Sequence, residues 1–164
     1  MQGVEINLQQ MLDRRELRSH QQHEFLIKYS CPLISFSMNI PGPIKTNELI
    51  KKAFTFGKIK LLEKLKPFKI LNALEIHEDT GDELLLSVNG NAGNLKNIAV
   101  EIENDSPAGR LFDIDVIDVD GKKLSRENFR KCLLCDKQAQ DCARSRNHSV
   151  KEMQIAVEKL LSAL

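Results

Sequence analysis

At 164 residues the chain can bury one proper core and is short for two domains. It is 41% hydrophobic and 29% charged, an ordinary globular balance, and a formal net charge of +1 argues against a general nucleic-acid or membrane surface. Seven Phe, one Tyr and no Trp offer few stacking platforms for single-stranded nucleic acid. No apolar run approaches the roughly 20 residues of a membrane span, and the polar start, MQGVEINLQQ, lacks the apolar stretch of a secretory signal. The expectation is a cytoplasmic protein, in which the four cysteines are free, metal-bound or catalytic rather than disulfide-paired.

Residues from about Asn7 to Tyr29 have helical composition. PLISFSMNI, Pro32 to Ile40, reads as a strand bounded by prolines, and PGPIK, Pro41 to Lys45, as a stiff loop. Thr46 or Asn47 can cap a helix from Glu48 to Leu65, with Leu49, Ala53, Phe54, Ile59, Leu61, Leu62 and Leu65 on its apolar side, stopped by Pro67. KILNALEIHE and ELLLSVNG read as strands joined by a hairpin turn at DTGD. GNAGN, Gly90 to Asn94, reads as a loop before a helix carrying Leu95, Ile98, Ala99 and Ile102, which Pro107 and Gly109 break. A strand over Phe112 to Ile117 and a tight turn at Asp120-Gly121 follow. Helical segments are expected from about Ser125, the last placing Met153, Ala156, Val157, Leu160, Leu161 and Leu164 on one face. Helices and hairpins together predict one α+β domain over residues 1–164, with a mixed or antiparallel sheet and a C-terminal helical segment that holds the Cys and His residues.

GRLFDIDVID, Gly109 to Asp118, places carboxylates inside an apolar strand. Alternation puts Asp113 and Asp115 on one face, roughly 7 Å apart along the backbone, and Phe112, Ile114 and Val116 on the other. Two such carboxylates can hold a hard cation such as Mg²⁺ against substrate phosphates. Arg110 just upstream could grip a phosphate, and Gly109 could let substrate approach the backbone. The plainer reading is an edge strand whose charges block pairing with other chains. An EF-hand is excluded: Asp118, Asp120, Gly121 and Glu127 fall at loop positions three, five, six and twelve, but position one is Val116.

Cys132, Cys135, Cys142 and His148 form C-x₂-C-x₆-C-x₅-H, a Cys₃His set suited to structural Zn²⁺. Alternatively the cysteines lie on one helix and pack as small apolar residues. Arg144 and Arg146 make a local basic patch that could receive phosphates or an acidic partner, or simply sit in solvent. Arg15, Arg18 and Gln22 fall one turn apart on the first helix and could grip an anion, unless they too are merely solvated. Lys45 ends a rigid loop before a helix N-terminus, a natural phosphate site.

RELRSHQ with Gln22, PLISF followed by PGPIK, GRLFDIDVI, and CLLC followed by CARSRNHS occur here in one order. In these the chain resembles the citrate lyase holo-acyl-carrier-protein synthases, the apo-citrate lyase phosphoribosyl-dephospho-CoA transferases, from Arg15 to about Lys151. The resemblance implies a nucleotidyltransferase and brings to mind the nucleotidyltransferase-like fold. The implied donor is 2'-(5''-triphosphoribosyl)-3'-dephospho-CoA, the acceptor a serine of the acyl carrier subunit of citrate lyase, and the leaving group pyrophosphate. It implies Mg²⁺ on Asp113 and Asp115, donor phosphates held by Arg110, Lys45, Arg15 and Arg18, and the carrier docked on Arg144 and Arg146; neither nucleic acid nor membrane is implied. Two alternatives remain: a non-enzymatic, zinc-stabilised binding or assembly module, and a related transferase serving another carrier.

Overall fold

The computed structural model describes all 164 residues. Helix α1 spans Leu8–Tyr29 and starts at a capping box in which the Asn7 side chain and Gln10 satisfy each other's backbone amides. Strand β1 (Leu33–Met38) follows, then α2 (Glu48–Lys64), N-capped by Asn47. The predicted hairpin is β2 (Lys69–Glu78) and β3 (Gly81–Asn89), closed at Glu78 opposite Gly81, where φ is +116°. Helix α3 (Ala92–Asn104) begins inside the expected loop, because Asn91 caps it and its stretch of Ala and Gly offers no obstacle. A 3₁₀ turn, Ala108–Leu111, leads into β4 (Phe112–Ile117).

The strands form one sheet in the order β2-β3-β1-β4, antiparallel throughout, which makes β4 an edge. Alternation divides each strand between two faces. Ile34 and Phe36, Leu84, Leu86 and Val88, and Phe112, Ile114 and Val116 bury one face under α2 and α3. Phe36 stacks on Phe54 and meets Phe112 edge-on, and Gly57 lies beneath them: a Cβ there would stand 2.7 Å from the Phe36 ring and 2.9 Å from that of Phe112. Ile50 and Gly57 thus join the buried side of α2, whereas the expected Leu49, Ile59 and Leu62 are largely exposed.

The other face lies under α1 and is split along its length. One end is apolar, with Leu33, Leu85 and Ile117 against Phe25 and Leu26. The other is polar. The pairing register lines up Glu83, Ser37 and Asp113 across three strands, with Leu85, Ser35 and Asp115 in the next row.

Residues 125–138 are not helical, contrary to expectation. They form a strap closed by a bridge between Lys131 and Gln138, and helix resumes only in α4 (Ala139–Ser145) and α5 (Val150–Leu161). The strap gives up helical hydrogen bonds for others: Arg126 and Arg130 pair with buried Glu103, and Arg130 also donates to Phe112 O. Val157 and Leu161 of α5 pack on Ile40, Ile50 and Leu111. No helix is long and apolar enough to cross a membrane.

Candidate active site

The polar end of the α1 face opens into a hollow of about 500 Å³ lined by Arg15, Arg18, Gln22, Lys45, Asp113 and Asp115, together with Ser37, Asp82, Glu83 and Lys123. Helix spacing brings Arg15, Arg18 and Gln22 to the side of α1 that faces the sheet. Gln22 donates to Ser35 Oγ at 3.0 Å and Arg18 to Ser37 Oγ at 3.3 Å, so α1 is stitched to the row of residues that ends at the aspartates. Arg18 Nε also lies 3.6 Å from Glu83 Oε1. Behind it Arg14, 4% exposed, meets Glu83, 3% exposed, at 2.6 Å. Neutralising one buried charge with the other holds this part of α1 on the sheet.

Arg15 makes no ion pair or hydrogen bond, so its full charge faces the hollow. Lys45 reaches in from the proline-bounded loop and donates to Ile40 O at 2.5 Å. Burial, and then the neighbouring Arg15, push its ammonium below the ordinary lysine range. The base of the hollow therefore holds cationic groups with spare capacity, a setting for phosphate.

Asp115 pairs with Lys123 at 2.5 Å, whereas Asp113 has no hydrogen-bond or ion-pair partner. Burial, followed by the charge of Asp115, pushes the Asp113 carboxyl above its ordinary value, with Lys123 and Arg130 opposing. A half-buried carboxylate beside a like charge, without a donor, is a costly arrangement that a cation would relieve.

The edge-blocking explanation for these acids fails on the backbone. The outward groups of β4 are already capped: Ile114 N donates to Glu103 Oε1 at 2.8 Å, and Ile114 O accepts from Lys96 at 3.3 Å. Phe112 O accepts from Arg130 at 2.7 Å and Val116 O from Leu124 N at 2.9 Å. Asp113 and Asp115 are not needed to keep this edge from pairing.

Four expected residues lie elsewhere. Arg110 points away and donates to the carbonyls of Lys131 and Cys132 at 2.9 and 3.2 Å, so it ties down the strap. Gly109 is buried against the end of α3, where a Cβ would stand 2.6 Å from Glu103 O; its small size serves packing, not substrate approach. Arg144 and Arg146 are exposed at the end of α4, outside the hollow.

Cys132, Cys135, Cys142 and His148 converge, their ligand atoms all within 4.8 Å of one another. Cys135 Sγ lies 3.4 Å from both Cys142 Sγ and His148 Nε2. They do so from the strap, α4 and the turn before α5, so the one-helix alternative is corrected. Burial raises the Cys132 thiol, but backbone hydrogen bonds from Leu134 and Cys135 and contacts with Cys142 and Cys135 bring it net below its ordinary value. The cluster could hold a metal ion.

The family described as CitX, apo-citrate lyase phosphoribosyl-dephospho-CoA transferase, matches residues 6–164. The chain belongs to this family. Among curated relatives, it is 35% identical to the apo-citrate lyase phosphoribosyl-dephospho-CoA transferase of Citrobacter koseri, over 95% of this chain and 88% of that one. It is 37% identical to a probable transferase of the same description from Vibrio cholerae, over 96% and 92%. It is 33% identical to the Escherichia coli O157:H7 transferase, over 96% and 89%.

For this transferase family member, sequence reading missed the support beneath the site. Arg14, Glu83, Ser35 and Ser37 look unremarkable in the linear chain, since what unites them is cross-strand register. One signal was present: Asp82 and Glu83 open a strand that is otherwise nearly all apolar, the same anomaly that drew attention to Asp113.

Proposed function

We propose that this chain transfers the phosphoribosyl-dephospho-CoA group to the acyl carrier subunit of apo-citrate lyase, and that it does so as a nucleotidyltransferase. The observation that carries this reading is the meeting of Asp113 and Asp115 with Arg15, Arg18 and Lys45 in one hollow. The donor is a triphosphate and the acceptor a serine hydroxyl of the carrier, with pyrophosphate released.

Cleavage between the α- and β-phosphorus moves negative charge onto the leaving pyrophosphate. Arg15 and Lys45 receive that charge, and Arg18, fixed by Ser37 and Glu83, orients the chain of phosphates. The unpartnered Asp113 and the adjacent Asp115 suit Mg²⁺, which when bound would neutralise phosphate oxygens and favour in-line attack. Asp113, which has no partner while Asp115 is paired with Lys123, is the freer of the two to take the proton of the incoming hydroxyl. The exposed Arg144 and Arg146 face an acidic carrier.

The Cys₃His set suits structural Zn²⁺. Its ligand atoms lie within 4.8 Å of one another, two of the separations being 3.4 Å, a range that spans the roughly 3.8 Å edge of a tetrahedron with zinc–sulfur bonds of about 2.3 Å. Zinc there would pin the strap to α4 and the turn before α5.

Incubating apo-carrier with the triphosphate donor, Mg²⁺ and this protein tests the reading. The carrier should gain the mass of the phosphoribosyl-dephospho-CoA group, and an unchanged mass would refute the assignment.

A further inference from the structure

A second hollow, of about 650 Å³, lies on the other side of the acidic strand. It shares Asp113, Asp115, Asn39 and Lys123 with the first, so the two aspartates stand on the ridge between two openings. The strap, residues 125–138, and the start of α4 form its outer wall.

The two hollows differ in charge availability. In the first, Arg15 is free. In the second, the cations are already engaged: Arg126 and Arg130 pair with Glu103, Lys96 donates to Ile114 O and Lys123 pairs with Asp115. It therefore has no spare cation for a run of phosphates. Its rim instead carries Phe129, 58% exposed on an irregular segment, with the exposed side chains of Glu127, Asn128 and Gln140. An exposed aromatic amid polar groups, with no free cation beside it, is the composition of a polypeptide contact rather than of a phosphate site. In-line displacement at phosphorus needs the nucleophile opposite the leaving group, so two substrates must reach the aspartates from two sides. The wall of the second hollow at Gln140 also leads along α4, past the exposed Asp141, to two cationic residues. Arg146 follows Gln140 along α4 at a distance of about 9 Å by helix rise, and neither Arg144 nor Arg146 has an ion pair.

Resting on the transferase reading, we infer that the second hollow receives the hydroxyl-bearing segment of the acceptor, an acidic polypeptide lying over Phe129 and along α4, while the first hollow holds the donor. The same exposed ring could instead stack on the donor's adenine, and the two occupants separate cleanly by experiment.

Phe129→Glu and Asn128→Arg alter exposed residues, so both should fold with unchanged Tm. Two readouts are compared with wild type: binding of apo-carrier without donor, and KM for carrier and donor during transfer. Phe129→Glu should weaken carrier binding and raise carrier KM about tenfold or more, with donor KM unchanged. Asn128→Arg adds a cation to the same wall and should instead strengthen carrier binding and lower carrier KM, again with donor KM unchanged. Unchanged carrier binding in both variants, or a rise in donor KM alone, overturns the assignment while the wild-type mass gain keeps the transferase reading intact. A wild-type protein that neither binds nor modifies the carrier overturns both.

Discussion

Glu103 Oε1 accepts a 2.8 Å hydrogen bond from Ile114 N, the backbone amide midway between Asp113 and Asp115. The same carboxylate, 3% exposed, lies 2.8 Å from Arg130 and 3.1 Å from Arg126. One buried side chain of α3 thus fixes both the acidic strand and the strap of the second hollow. Glu103→Ala should cost about 3–5 kcal/mol in urea denaturation, because it strands two guanidinium groups and an amide. Glu103→Gln keeps the amide bond and should lose less.

Arg14 and Glu83 form the corresponding buried pair under α1. Arg14→Met leaves a buried carboxylate with only the more distant Arg18 and should cost about 3–5 kcal/mol. Arg14→Met with Glu83→Leu should recover much of that loss, since an apolar pair of similar size suits the site. A double-mutant cycle in urea checks this; additive losses would show that the two side chains do not act as a pair.

The raised pKa of Asp113 has a definite sign for stability. A folded-state value above the unfolded value, about 3.9, means that ionising Asp113 disfavours the folded state at neutral pH. That cost fades as pH falls through the folded value, where the folded state takes up its proton first. Asp113→Asn should therefore have a higher Tm than wild type at pH 7, with the gap closing towards pH 4. Scanning calorimetry across that range reads it directly. A lower Tm for the variant at pH 7 would contradict the sign.

Zinc at Cys132, Cys135, Cys142 and His148 predicts about one equivalent of zinc in purified protein by elemental analysis. Removing it, or replacing Cys142 by Ser, should lower Tm by roughly 5–10 °C, the size expected if about 2–3 kcal/mol is lost in a chain of this length. Transfer should weaken alongside, since Arg110 ties the Cys132 carbonyl to the segment that enters β4.

Where local chemistry decides, the sequence was readable. The capped helices, the DTGD hairpin and the apolar alternation of β4 follow from residue type and period alone. The strap was not readable, because residues 125–138 take their shape from distant partners: Glu103 on α3 and the thiols and imidazole around Cys135. In the site, Arg15, Arg18, Gln22 and Lys45 could be named as basic or polar groups at sensible spacings. Their meeting with Asp113 depends on α1 lying over the row Glu83–Ser37–Asp113, which no local pattern specifies. Arg110 and Gly109 misled because adjacency in sequence to the acidic strand was read as adjacency to its functional face. The 3₁₀ turn before β4 sends both towards α3 and the strap.

The central claim is that Asp113 and Asp115 carry the transfer. It is tested most directly by the intact mass of apo-carrier after incubation with donor, Mg²⁺ and either wild-type protein, Asp113→Asn or Asp115→Asn. Wild type should convert the carrier to the mass bearing the phosphoribosyl-dephospho-CoA group. Each variant, folded as judged by Tm, should convert it at least ~100-fold more slowly. Conversion at the wild-type rate in both variants would contradict the account.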